Sequence, residues 1–187
     1  QLTIDNLNSK YLPDLKDEKK KKYQENLKTI VKQIKQIENL VNEFSDFARM
    51  PKPHFKNNDL IKVLDENIEL LKKIDSSINF KINNRTGNKV IINFDNEQFN
   101  RLFFNLIKNS IESIKEKVKK TNNSLKNIHI EINQRRDYIT VNLIDTGEGF
   151  GNKKTKDIIK PYYTTKKKGT GLGLSIVDKI INDHNGS

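Results

Sequence analysis

From Tyr23 to Ala48 the apolar residues recur in alternating steps of four and three: Tyr23, Leu27, Ile30, Ile34, Ile37, Val41, Phe44 and Ala48. That period fits a long α-helix with one narrow apolar stripe. Val31, Leu40 and Phe47 widen the stripe. Ahead of it, Ile4, Leu7 and Tyr11 repeat the three-four step in a shorter helix, and Pro13 with the charged stretch Asp14 to Lys22 separates the two. Two helices of this kind bury little by themselves. The hairpin needs cover, either from a second copy, completing a four-helix bundle, or from the rest of its own chain. Met50-Pro51-Lys52-Pro53 ends the long helix, because two prolines so close together forbid its continuation.

Beyond the prolines the period changes. Leu60 to Leu71 predicts a helix, Ile78 to Ile82 a strand, and Val90 to Phe94 a second strand after the turn Asn84-Arg85-Thr86-Gly87-Asn88. Asp95-Asn96-Glu97-Gln98 has capping-box form and should open a long helix reaching Val118. Ile128 to Ile132 and Tyr138 to Ile144 alternate on either side of Arg135-Arg136-Asp137, which predicts an antiparallel hairpin. A polar loop starts at Asn152, and a last helix runs from Leu172 to Asn185. Strands and helices mix without regular βαβ alternation, so this part reads as α+β, with helices covering a mixed, largely antiparallel sheet. The expected division is a helical hairpin at 1–50, a linker at 51–58 and a second domain at 59–187. The chain starts in mid-pattern and stops on the turn signal Asn185-Gly186-Ser187, so a piece of a longer protein is expected.

Composition removes several function classes. With no cysteine there is no disulfide, thiolate metal site or cysteine nucleophile, and His54, His129 and His184 are too scattered for a histidine-rich metal motif. No apolar run approaches the roughly 18–20 residues of a membrane span, and no signal peptide opens the sequence, so no membrane contact by this piece is expected. The net charge of +11 comes mostly from lysine; only five of the 35 basic residues are arginine. Arginine is the side chain that reads phosphate and guanine bidentately. A nucleic-acid partner is therefore not expected, and no recognised reading motif with interleaved aromatics is present.

Three elements carry candidate chemistry. Asn105, Asn109 and Glu112, spaced four and three, fall on one stripe of the long helix. Asparagine is a poor interior helix residue, and carboxamide and carboxylate oxygens suit a hard cation such as Mg²⁺. Taken alone, such a stripe is ordinarily just solvated. The second element, Asp145-Thr146-Gly147-Glu148-Gly149-Phe150-Gly151, follows an alternating strand. Its glycines let the backbone approach a ligand closely, and a carboxylate there can accept two hydrogen bonds; an ordinary loop is the alternative. The third, Gly169-Thr170-Gly171-Leu172-Gly173-Leu174-Ser175, opens the last helix behind Lys166-Lys167-Lys168. Amide N–H groups at a helix N-terminus form a phosphate cradle. It is neither a Walker loop nor a Rossmann turn; a solvated loop is the alternative, more for the lysines than for the glycines.

In this order and at these separations the set resembles the ATP-binding domain of sensor histidine kinases, the Bergerat-type fold shared with gyrase, heat-shock chaperone and mismatch-repair ATPases. Asn105-Leu106-Ile107-Lys108-Asn109-Ser110-Ile111-Glu112-Ser113 is similar to its N box, Asp145 to Gly149 and Gly169 to Ser175 to its two glycine boxes, and Pro161-Tyr162-Tyr163-Thr164-Thr165-Lys166 to its F box. Phe44 to Pro53 is similar to the end of the dimerisation and phosphotransfer hairpin of nitrogen-regulation, NtrY-like kinases. That family's phosphoacceptor motif, His-Glu-x-x-Asn-Pro, is absent from the sequence, as are its last strands.

The resemblance implies ATP and Mg²⁺ as ligands. Asp145 would bind the adenine amino group, with Gly147 beside it and Gly149 giving room for the base. Asn109 would ligate Mg²⁺ and Asn105 would sit by the phosphates or metal, while Glu112 could orient water or metal. Gly169, Gly171, Leu172 and Gly173 would bring backbone to the phosphates, Lys166 would neutralise charge there, and Asn152 to Lys168 would form a lid over the nucleotide. No catalytic residue is assigned, since the nucleophile would be a histidine nitrogen on the dimer helix. The implied partners are a second copy of the chain, through the hairpin, and a response-regulator receiver domain. The implied location is the cytoplasmic part of a membrane-anchored parent. Without the histidine motif this piece is expected to bind ATP yet not phosphorylate itself; stable acid-labile label taken up from γ-labelled ATP would contradict that. The rival readings are a catalytically silent nucleotide-binding module and, on charge alone, a basic nucleic-acid binder.

Overall fold

The computed structural model describes Thr3, Asp5, Asn6, Lys10 and residues 17–87, 89–121, 125–166 and 169–187. The chain divides into two compact units, Gln1–Arg49 and Met50–Ser187.

The first unit contains α1 (Asp17–Ala48), a single helix of 32 residues. At 1.5 Å per residue it is about 48 Å long. Its expected stripe is present and solvent-facing: Ile30, Ile34, Ile37, Val41 and Phe44 are each between 47% and 63% exposed. Thr3, Asp5, Asn6 and Lys10 are also helical, in keeping with the shorter arm of a hairpin. Ile4, Leu7, Tyr11 and Pro13, on which that arm was read, lie outside the described residues.

The second unit runs β1 (Lys56–Asp59), α2 (Leu60–Ile74), β2 (Asn79–Asn84), β3 (Ile91–Phe94), α3 (Asn96–Thr121), β4 (Asn127–Arg135), β5 (Tyr138–Asp145), α4 (Thr155–Ile158) and α5 (Gly173–Asp183). It is an α+β arrangement with a mixed sheet. β2 is parallel to β4, and β4 is antiparallel to β5. A parallel pair needs a crossover connection, and here β3 and α3 supply it. β1 and β3 form a separate antiparallel ribbon, with Lys56 opposite Phe94 and Asp59 opposite Ile91. β1 falls in the stretch read as linker. Its sequence, Lys-Asn-Asn-Asp, has no apolar alternation to reveal it, and its pairing with β3 comes from the fold.

α3 packs against both α2 and α5. The core joins Leu60, Val63, Leu64, Ile68 and Leu71 of α2 to Leu102, Phe103, Ile107, Ile111 and Ile114 of α3, to Ile128, Ile130 and Ile132 of β4, and to Ile176 and Ile180 of α5. Because α3 turns this apolar face inward, the stripe carrying Asn105, Asn109 and Glu112 is left only partly buried.

The start of α3 differs from a full capping box. Asp95 Oδ1 does accept the Gln98 N–H, at 3.0 Å. The Gln98 side chain, however, donates to the Pro51 carbonyl at 3.0 Å instead of reaching back. The Asp95 N–H it would have satisfied goes to His184 Nε2, at 3.0 Å. His184, just past α5, therefore takes the place of the second half of the box. Burial pushes the Asp95 carboxyl pKa up, but the N–H groups of Gln98, His54 and Glu97, with His184 nearby, outweigh it and leave the pKa below the ordinary value.

At the other end of α2, Asp75 ties the helix to α3. Its carboxylate takes the Lys115 ammonium at 2.8 Å and the Ser77 hydroxyl and N–H at 2.7 and 3.0 Å. These bonds, that from Lys115 first, lower its pKa to about 2. A carboxyl depressed on folding adds stability above its unfolded pKa of about 3.9, and that stability is lost as pH falls toward the folded value. Lys115 is half exposed, so solvent screening reduces the contribution to about 1 kcal/mol. Asp75→Asn is expected to lose that amount at pH 7 and progressively less between pH 4 and pH 2, read from urea denaturation. A deficit that does not shrink with acid would assign the effect to packing.

Candidate nucleotide-binding site

Three loops meet the polar stripe of α3. The first is the start of α5. Gly173 sits so close that a Cβ there would lie 3.3 Å from Asn105 Oδ1 and 3.5 Å from Asn109 Nδ2. Asn105 is oriented by its own helix, donating Nδ2 to the Arg101 carbonyl at 2.9 Å. The N-cap residue of α5, Leu172, makes no side-chain capping hydrogen bond. The helix's first-turn N–H groups and the positive end of its dipole are thus available to an anion. Leu172 differs from the glycines around it: its side chain is fully buried, so it anchors the helix in the core and can offer a ligand only its backbone.

The second is made of residues 161–166 with Gly169 and Thr170. Lys166 Nζ reaches back to Asn109 Oδ1 at 3.2 Å and to Glu112 Oε2 at 2.5 Å. Those two oxygens converge on one cationic group. This donor set, one carboxamide and one carboxylate oxygen, is that of a hard cation which keeps its remaining positions for water and phosphate. Mg²⁺ fits it. Among the described residues no group of three or more His, Asp or Glu side chains could hold a metal ion. Gly169 lies against Thr164, whose Oγ1 would be 2.7 Å from a Cβ and accepts the Lys166 N–H at 3.1 Å. Gly171 has φ of +75° and abuts the backbone of Tyr162, itself at φ +66°. Lys167 and Lys168 lie outside the described residues.

The third is the loop after β5. Asp145 Oδ1 accepts the Gly147 N–H at 2.8 Å, which turns the chain sharply. Gly147 is pressed against α3: a Cβ would lie 2.1 Å from Ser113 Oγ. Gly149 and Gly151 take positive φ, +68° and +58°, in open space. Thr146 fastens the loop to the start of β4, its hydroxyl accepting the Asn127 N–H at 3.1 Å and donating to the Leu125 carbonyl.

Asn105, Asn109, Glu112, Lys166 and Gly173 are thus drawn together, and Asp145 and Gly147 are held to the same helix one turn further on. The side chains that do this holding are Ser113, read from the sequence only as the last residue of the N box, and Lys117, which sequence reasoning missed. Their steps of four and four from Asn109 continue the stripe and could have revealed them.

Residues 94–187 match the family described as histidine kinase-, DNA gyrase B-, and HSP90-like ATPase, and the chain belongs to that family. Within it the likeness is to sensor kinases. The chain is 31% identical to a putative sensor histidine kinase NtrY-like of Rickettsia bellii over 99% of its length and 29% of the relative's. It is 30% identical to the nitrogen regulation protein NtrY of Azorhizobium caulinodans over 84% of its length and 20% of that protein's. The chain therefore spans less than a third of these relatives. The catalytic domain of histidine kinase ThkA, in a nucleotide-free form, superposes with a TM-score of 0.59 at 25% identity, covering 70% of this chain and 81% of that one.

Proposed function

We propose that residues 59–187 bind ATP with Mg²⁺, and that within a longer NtrY-like sensor kinase this domain supplies the γ-phosphoryl group to a histidine, from which it passes to an aspartate of a response-regulator receiver domain. The observation that carries the reading is the meeting of two oxygens, Asn109 Oδ1 and Glu112 Oε2, with a lysine ammonium, beside a helix N-terminus whose N-cap residue, Leu172, makes no side-chain capping bond.

In this reading Asn109, with Glu112 close by, holds the metal, which supplies charge neutralisation at the phosphates. The first turn of α5, Gly169, Gly171 and Gly173 bring backbone N–H groups to the phosphate oxygens, and Lys166 moves from the oxygens of α3 to the polyphosphate. Asp145 takes the adenine amino group on its carboxylate, held in place through Oδ1, while Gly149 leaves room for the base. The protein's contribution to phosphoryl transfer is positioning and electrostatics. None of the chain's three histidines is proposed as the acceptor; His184 holds Asp95 N–H on one ring nitrogen and the Ile180 carbonyl on the other. The exposed stripe of α1 supports pairing with a second copy, since four such helices together bury what one leaves in water.

Calorimetric titration with ATP tests the site. The chain should bind in Mg²⁺, and Asp145→Asn should weaken binding about tenfold or more, the loss of a charged hydrogen bond being worth roughly 1.5–3 kcal/mol. Asn109→Ala should weaken binding in Mg²⁺ far more than in chelator. No heat from adenine nucleotides at millimolar concentration would overturn the proposal, and equal losses in Mg²⁺ and chelator would remove the metal from Asn109.

A further inference from the structure

α3 continues for three turns beyond Asn109, and its polar stripe continues with it. Ser113 Oγ accepts the Glu148 N–H at 3.0 Å. Lys117 Nζ donates to the carbonyl oxygens of Thr146 at 2.9 Å and Gly147 at 3.2 Å. Lys120 pairs with Glu148 at 2.6 Å, but 69% of its side chain is exposed, and such surface pairs contribute little.

Lys117 is the unusual member. It is half-buried and directs its ammonium at two successive peptide carbonyls. A lysine ammonium is strongly hydrated, and its side chain loses about 2 kcal/mol of rotamer freedom when ordered, so a surface lysine with no task would remain in water. The two carbonyls are those of the residues directly after Asp145. Gly147 is bound at both ends: its C=O takes Lys117, and its N–H holds Asp145 Oδ1 at 2.8 Å. Two hydrogen bonds in series therefore run from the helix to the carboxylate. Rotation of the Gly147 peptide groups would swing Asp145, and Lys117 opposes that rotation.

We propose that Lys117 is a positioning residue for nucleobase recognition. It aims the Asp145 carboxylate at an exocyclic amine, and so favours a 6-aminopurine over a 6-oxopurine. The proposal rests on the reading that Asp145 meets the base. A purely structural lysine would support both nucleotides equally, so the informative quantity is the ratio of their affinities.

The folded chain and its Lys117→Met and Lys117→Arg variants are titrated with ATP and with GTP in Mg²⁺. The unsubstituted chain should prefer ATP. Lys117→Met should lower ATP affinity about tenfold and GTP affinity less than twofold, and Lys117→Arg, which keeps donors for both carbonyls, should restore most of the preference. Should the methionine variant fail to fold, Lys117→Leu, which likewise has no donor, takes its place with the same expected direction. Parallel loss of both nucleotides, or an unchanged ratio, would overturn the proposal while leaving ATP binding intact. Failure of the unsubstituted chain to bind ATP would overturn the functional reading itself, and this inference with it.

Discussion

Gly171→Ala is expected to abolish ATP binding at any practical concentration while leaving the helix content of the domain unchanged. Two independent demands meet at this residue. Its φ of +75° lies in the left-handed region, which costs an alanine roughly 1–2 kcal/mol. A Cβ would also fall 2.5 Å from the Tyr162 carbonyl carbon and 2.8 Å from its Cα and O. Those are backbone atoms and cannot swing aside as a side-chain tip can. The strain is relieved only if the 161–165 segment and the start of α5 separate, and that separation removes Lys166 and the helix N-terminus from Asn109 together. The core is set by α2, α3, β4 and the later turns of α5, with Ile176 and Ile180, and none of its contacts is this one. Circular dichroism should match the unsubstituted chain while calorimetry shows no ATP heat. Binding within threefold of the unsubstituted chain would mean that the two segments are not coupled in solution.

Gly147→Ala should be nearly as damaging, by a different route, and should be partly reversible. The new Cβ would sit 2.1 Å from Ser113 Oγ, 2.6 Å from Ser113 Cβ and 2.7 Å from Asp145 Oδ1. The carboxylate can turn away, but Ser113 Cβ is fixed to α3. The loop must lift, and with it goes the bond from Gly147 N–H that orients Asp145. ATP affinity should fall about a hundredfold, equivalent to roughly 2.7 kcal/mol. Ser113→Gly removes the two obstructing Ser113 atoms, so the double variant should recover about tenfold of that loss, even though glycine inside a helix costs about 1 kcal/mol. No recovery in the double variant would show that the damage does not arise from this contact.

The parts of the molecule that were legible in advance are those governed by local periodicity. The four-three steps from Tyr23 produced α1 from that residue on, although the helix already starts at Asp17, inside the charged stretch expected to separate two helices; the alternation around Arg135-Arg136-Asp137 produced the β4–β5 hairpin, and Asp95 does cap α3. Asn105, Asn109 and Glu112 were readable as one stripe because a helix fixes which residues share a side. What was not legible depended on distant neighbours. Lys166 reaches residues 54 and 57 positions earlier, and no local rule pairs them. β1 exists through its ribbon with β3, and Gln98 turns to Pro51 while His184 satisfies the Asp95 N–H. The glycines were expected on the ground of close approach to a ligand. For Gly171 and Gly147 the immediate obstacle is the protein itself, the Tyr162 backbone in one case and Ser113 in the other.

α3 carries Asn109 near its middle and Lys117 eight residues on, two turns and about 12 Å away. A single residue inserted between Asn109 and Ser113 would advance everything downstream by only 1.5 Å but rotate it by 100°. The hydroxyl and the ammonium would then face away from the loop, and the two ends of the cleft would fall out of phase. The spacing of these positions behaves like the pitch of a screw thread, and length variation in a chain with this design has to be accommodated outside that interval.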